Sequence, residues 1–221
     1  MRNRKWEGEN MKLLFATGNE YKFNLMKERL KEFDDIELVN PKMLGINIEV
    51  VEDGQTAEEN SRKKAEAYHA ATNLPTISED SGLFINKFKK KEQPGLFVKR
   101  INGQEGLSDE TILKYYIDML KKYDGRSLAH YFTGVCIIDE EGNEFSDTIE
   151  ETDFLLLSQP SKKVNKNGGI LEPISFDIDA NKYFDQRTEE EIANHYQSLD
   201  DRYRELVNNI LRKDIIRKVK A

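Results

Sequence analysis

Four short clusters in this 221-residue chain hold residue types that could meet a polyanion or a hard metal ion. The first is Thr17-Gly18-Asn19, which follows the apolar run Lys12–Ala16 and precedes a helical pattern, with Lys22 three residues beyond Asn19. A strand ending in a glycine turn that opens a helix aims backbone N–H groups and the positive helix end at one spot. A phosphate fits there, and Lys22 could reach the same anion. The pattern is neither a three-glycine dinucleotide fingerprint nor a P-loop, and a capped helix start with a solvated lysine also produces it. The second cluster, Glu79-Asp80-Ser81-Gly82, sets two carboxylates where the apolar run Thr76–Ser78 closes. Charges in such a place must be solvated, paired or metal-bound. Metal-assisted phosphoryl chemistry needs oxygen ligands and a base for water, whereas an ordinary polar turn is the plainer reading. The third, Glu52-Asp53-Gly54, could bring another oxygen ligand to the same ion or be a solvated acidic loop. In the fourth, Lys64 shares a helix face with Asn60, Ala67 and Ala71, which would lay it beside packed alanines, and Glu59 reads as the capping partner of Thr56.

The elements that must position these residues are legible in outline. Phe23, Met26, Leu30 and Phe33 recur at three- and four-residue steps and predict an amphipathic helix after the first strand. A Pro/Gly-bearing connection from Pro41 to Gly54 leads to Thr56-Ala-Glu-Glu59, a capping box, and a helix over 57–72 that stops before Asn73-Leu74-Pro75. Strand candidates follow at Thr76–Ser78 and, past the acidic cluster, at Leu83–Ile85. Ser108 opens a helix that turns Ile112, Tyr116, Met119, Leu120 and Tyr123 to one side. Ala129–Ile138 and Glu144–Leu157 predict a hairpin around Asp139–Asn143. A loop through Lys166-Asn-Gly-Gly169 reaches Glu172-Pro173, and Thr188 with Glu191 caps a long last helix. With no repeat or linker, the reading is one mixed α/β domain over 1–221, with residues 1–10 as an extension and Met11 as an alternative start.

Composition narrows the function classes. The net charge is −7, against the basic balance expected of a nucleic-acid binder, so a polyanion would be met through a few placed cations, amides or a metal. No apolar run is long enough to cross a bilayer. The single cysteine, Cys136, lies in the apolar run Val135–Ile138 and reads as a buried thiol in a chain suited to the reducing cytoplasm.

Taken in order, F-A-T-G-N-E-Y-K, E-D-G-Q-T-A-E-E-N-S-R-K-K-A, L-P-T-I-S-E-D-S-G-L and P-G-L-F-V-K-R resemble the inosine triphosphate pyrophosphatase family over roughly residues 12–140. Members of that family hydrolyse deaminated purine nucleotides such as ITP, dITP and XTP. The resemblance implies an elongated two-lobed mixed sheet flanked by helices, with a central cleft, and a homodimer. It also implies that Thr17, Gly18, Asn19, Lys22 and Lys64 hold the triphosphate and that Ser81 touches the substrate. Glu52 and Asp80 would hold Mg²⁺, Asp80 would activate the water that attacks the α-phosphorus, and pyrophosphate would leave.

The C-terminal third departs from the family. Its aromatic-glycine-aromatic-Asp-Pro stretch is replaced by Gly168-Gly-Ile-Leu-Glu172-Pro173, and its Ser-His-Arg triplet by Ser198-Leu199-Asp200. Base recognition is therefore expected to be altered or relaxed. The alternative is that Tyr183, Tyr196 or Tyr203 supplies a stacking ring and His195 or Arg202 a donor from shifted positions. Two other function classes remain: a nucleotide-binding regulatory module without turnover, and a dinucleotide-dependent oxidoreductase, which lacks its glycine fingerprint.

Overall fold

A computed structural model describes residues 10–162 and 169–211. The N-terminal extension up to residue 9, the loop residues 166–168 and the last ten residues lie outside the described residues. The chain forms two compact units. One comprises Met1–Asp80, Gly134–Ile149 and Asp200–Ala221, and the other Ser81–Thr133 and Glu150–Leu199.

The first unit opens with strand β1 (Met11–Phe15), helix α1 (Glu20–Arg29), strand β2 (Ile36–Val39), helix α2 (Ala57–Thr72) and strand β3 (Thr76–Ile85), whose first half it holds. β1 pairs in parallel with both β2 and β3. A central parallel strand is covered on both faces, which is why Leu13, Leu14 and Phe15 form an unbroken apolar run and are fully buried. β2 was not foreseen: its four residues follow Asp34-Asp35 and merge with the connection leading to Pro41. α1 stops at Arg29, with Leu30 as its C-cap, yet Phe33 is buried in the turn beyond. The helical spacing of apolar residues outlasts the helix itself.

α2 begins and ends where its capping box and Asn73 predicted. Thr56 Oγ1 accepts from the Glu59 N–H at 3.1 Å, and the Glu59 carboxylate accepts from the Gln55 N–H at 2.7 Å, one residue upstream of the usual return bond. Asn73 closes the helix in the left-handed region, at φ 53°. The packed face consists of Ala57, Asn60, Ser61 and Ala65, not a line through Ala67 and Ala71. Ala65 meets Cys136 and Ile138 of strand β4 (Arg126–Ile138), where burial pushes the Cys136 thiol up to about 11.

In the second unit, helix α3 (Asp109–Lys121) is capped by Ser108. It buries Ile112, Tyr116, Met119 and Leu120 in a cluster with Leu83, Ile85, Phe154 and Leu156. The segment Glu144–Leu157, expected as one hairpin arm, is two strands, β5 (Glu144–Glu150) and β6 (Phe154–Leu157), and both neighbour β4. The polar stretch Glu150-Glu-Thr-Asp153 breaks the apolar alternation between them. Short strands β7 (Ser175–Asp177) and β8 (Lys182–Tyr183) extend β6 in antiparallel fashion. Thr188 and Glu191 exchange the two bonds of a capping box ahead of helix α4 (Glu189–Leu211). The eight strands form one mixed sheet in the order β2-β1-β3-β4-β6-β7-β8, with β5 beside β4, so the molecule is α/β. No helix among the described residues is long and apolar enough to cross a membrane.

Candidate active site

The largest correction to the sequence reading lies in the acidic cluster. Thr76–Ile85 is one continuous strand, so Glu79-Asp80 is neither a turn nor a strand end. Successive residues of a strand face opposite sides, and β3 uses this to give two adjacent carboxylates different partners. Asp80 looks toward α2: its Oδ2 accepts from Asn60 Nδ2 at 2.9 Å, and Lys64 Nζ is 3.7 Å from its Oδ1. Ser78, two residues back on the same side, donates to the Ser61 carbonyl of α2. Glu79 looks toward α1 and the second half of α4. Its carboxylate lies 3.2 Å from Lys22 Nζ and 3.9 Å from Arg29, and it accepts from the Tyr203 hydroxyl at 2.5 Å. Arg29 in turn reaches Asp200 at 2.6 Å and stacks over the Tyr203 ring. Burial alone would raise the Glu79 carboxyl, but Lys22, the Tyr203 hydroxyl and Arg29 together hold it below its ordinary value.

A cavity of about 290 Å³ in the first unit is lined by Thr17, Gly18, Asn19, Lys22, Glu52 and Lys64. The structure thus brings together residues separated in sequence by a helix, a strand and a long connection. Ala16, Ile48, Val50, Tyr68 and Glu79 complete the wall and were not singled out for it. Asn19 caps α1, its side chain accepting from the Tyr21 and Lys22 N–H groups. Those two amides already have an acceptor, so an anion there would be met by the Lys22 ammonium and admitted by the space at Gly18, where an added Cβ would touch nothing within 4 Å. A solvated Lys22 was one expectation; instead its side chain is 31% exposed and paired with Glu79. A larger cavity, about 570 Å³, adjoins the β4–β5 turn, but its described lining carries four carboxylates and no cation, which is wrong for a polyphosphate.

Glu52 joins the site through Lys64, whose Nζ donates to Glu52 Oε2 at 2.9 Å while only 15% of the side chain is exposed. The loop behind it is fixed by Asn60, which accepts from the Gly54 N–H at 2.8 Å and holds Asp80 with its other end. Gly54 has to be glycine: a Cβ there would come within 2.6 Å of Asn60 Oδ1 and 2.8 Å of Glu59 Cβ. Asn60, noted from the sequence only as sharing a helix face with Lys64, thus ties the loop that carries Glu52 to Asp80.

Lys64 also tests the fit of a metal. One ammonium already sits between Glu52 and Asp80, so the two carboxylates are spaced to share a cation, and an all-oxygen donor set is the kind Mg²⁺ takes. No group of three or more His, Cys, Asp or Glu side chains among the described residues is arranged to hold a metal ion, so any such ion would rely on substrate oxygens and water for its remaining ligands.

In the second unit, Ser81 Oγ lies 3.0 Å from Thr133 Oγ1. The groups considered for base recognition are mostly engaged. Tyr203 is fully buried against Glu79, Arg202 pairs with Asp147 and Glu205, and His195 packs its imidazole 3.2 Å from buried Asp177. Arg187 pairs with the same Asp177 carboxylate and stacks on Phe184. Tyr183 donates to the Gln159 carbonyl, and Tyr196 meets His195 edge-on.

Residues 13–194 match the family model described as the Ham1 family. A Leptospira interrogans protein named dITP/XTP pyrophosphatase is 28% identical over 193 residues, covering 86% of this chain and 93% of its own. One of the same name from Treponema denticola is 30% identical over 183 residues, covering 82% and 89%. The solved structure of a HAM1 protein from Coxiella burnetii shares the fold, with a TM-score of 0.70 over 88% of this chain and 99% of its own at 20% identity. All four motifs fall inside the matched span, and the chain belongs to the Ham1 family, the inosine triphosphate pyrophosphatase family that those motifs resemble.

Proposed function

We propose that this protein is a Mg²⁺-dependent pyrophosphatase that hydrolyses nucleoside triphosphates to the monophosphate and pyrophosphate. Irregular purine nucleotides such as ITP, dITP and XTP would be among its substrates, read with altered or relaxed base specificity. The observation that carries this reading is the convergence, in one cavity, of the Thr17-Gly18-Asn19 turn, Lys22, Lys64 and Glu52, with Asp80 joined through Lys64. The names of the curated relatives point to the same reaction.

Lys22 and Lys64 would hold the triphosphate, exchanging their carboxylate partners for phosphate oxygens, while the open space at Gly18 admits the chain of phosphates. Glu52 and Asp80 would hold Mg²⁺, which when bound supplies charge neutralisation and polarises the phosphoryl oxygens. Asp80, steadied by Asn60, would accept the proton of the water that attacks the α-phosphorus; the bond from that phosphorus to the bridging oxygen breaks, and pyrophosphate departs. Ser81 would touch the substrate. The family resemblance extends the proposal to a homodimer working in the cytoplasm, with which the buried, single Cys136 agrees.

The test is pyrophosphate release from a nucleotide panel with Mg²⁺ and after chelation. Release that requires the metal is expected. Binding without release under both conditions would instead identify a nucleotide-binding module.

A further inference from the structure

Ser81, Thr133 and Glu151 form a hydrogen-bonded file within the second unit. Thr133 Oγ1 donates to Glu151 Oε1 at 2.9 Å, and Ser81 Oγ lies 3.0 Å from Thr133 Oγ1. Thr133 is 3% exposed, whereas Ser81 is only half-buried. A hydroxyl carries one proton and two lone pairs, and a carboxylate can only accept. Thr133 therefore commits its proton to Glu151 and can only accept from Ser81. Ser81 must turn its own proton inward, and what it presents outward is lone pairs. The reverse order would set Thr133 and Glu151 lone pair against lone pair at hydrogen-bonding distance. Close packing keeps the file in register: a Cβ on Gly82 would come within 2.2 Å of the Phe132 ring, so the segments bearing Ser81 and Thr133 meet with no space for a side chain between them.

We infer that Thr133 and Glu151 are positioning residues that fix Ser81 as a hydrogen-bond acceptor, so that it receives an O–H or N–H of the nucleoside rather than touching a phosphate oxygen. The inference rests on the proposed reading that a nucleoside triphosphate is the substrate. It divides the labour chemically. Lys22 and Lys64 are donors only and suit the triphosphate, whose oxygens accept, while Ser81 supplies an acceptor that no phosphate oxygen can use.

The experiment is titration calorimetry with the α,β-imido analogues of ITP and dITP and with inorganic tripolyphosphate, above neutral pH, where tripolyphosphate presents acceptor oxygens. Ser81→Ala is expected to weaken the ITP analogue about three- to tenfold, the worth of one ordinary hydrogen bond, and to leave tripolyphosphate unchanged. An undiminished effect with the dITP analogue places the donor away from the 2′-hydroxyl, and a vanished effect places it there; either sustains the inference. Thr133→Val frees the serine proton, so the nucleotide analogue should weaken while tripolyphosphate holds or tightens, and Thr133→Ser should restore the wild-type pattern. Ser81→Ala weakening tripolyphosphate as much as the nucleotides, or leaving all three unchanged, would overturn it, as would Thr133→Val and Thr133→Ser behaving alike. Wild-type turnover of ITP is measured alongside: its absence overturns the proposed reaction, whereas these binding comparisons do not depend on turnover.

Discussion

The Lys64 ammonium, within 4 Å of both Glu52 and Asp80, shows how a residue's role can be set by what competes for it. In the proposed complex the lysine and the carboxylates would each gain a new partner of opposite sign, so the resting ion pairs would cost little to exchange. In the proposed reaction Asp80 would be both metal ligand and proton acceptor. Asp80→Asn is expected to lower kcat by about two to four orders of magnitude, the range removed with a metal ligand and proton acceptor. The amide oxygen can still accept from Asn60 Nδ2, so the fold should survive. Steady-state kinetics beside a thermal melt checks this, and near-normal turnover in a folded variant would return Asp80 to a structural role.

Elements decide which residues meet. β3 sends Glu79 to α1 and α4, and Asp80 to α2, because side chains alternate along a strand. Removing the Glu79 charge leaves Arg29 and Lys22 short of an anion at a buried place. Glu79→Gln is therefore expected to destabilise the protein by about 3 kcal/mol at neutral pH, with Asp200 still compensating Arg29 in part. The acid dependence has a definite sign. The folded carboxyl is held below the ordinary glutamate value of about 4.3, so its contribution is fully present above that pH. It fades as the pH falls from there through the folded value. Wild-type melting temperatures should drop through that acid window more steeply than those of Glu79→Gln. Parallel slopes would show that the buried anion contributes nothing to stability.

At the scale of the whole molecule, the residues proposed for the triphosphate and those considered for the base differ in how they are engaged. Thr17, Gly18, Asn19, Lys22, Glu52, Lys64 and Asp80 all lie in the first unit, whereas the groups that could have replaced the family's base-reading triplet are committed elsewhere. His195 is held by Asp177, Arg202 by Asp147 and Glu205, and Tyr203 by Glu79. Burial, assisted by Arg187 nearby, depresses the His195 imidazole against the pull of Asp177, so near neutral pH it is a poor source of a charged donor. Discrimination at a purine's 6-position needs donors that adenine would leave unpaired. kcat/KM measured across ITP, XTP, dITP, ATP, GTP, dUTP and dTTP is therefore expected to show a weakened preference for ITP and XTP. A preference over ATP beyond about a hundredfold would mean that the pocket has been rebuilt from other groups.

The sequence by itself determined what local chemistry can dictate. Thr56 and Asn73 bounded α2, Thr188 with Glu191 opened α4, and four ordered motifs pointed to the family, because caps, turns and motif spacing act over a few residues. It misread Glu79-Asp80 as a turn, since two adjacent acids look the same in a loop and in a strand until partners are known. Only the tertiary structure supplied those partners: Tyr203 arrives from 124 positions away to meet Glu79, and Asn60 and Lys64 from the preceding helix to meet Asp80. A buried charge is tolerable only when distant groups offset it, and which groups do so depends on the packing of elements that no local pattern encodes.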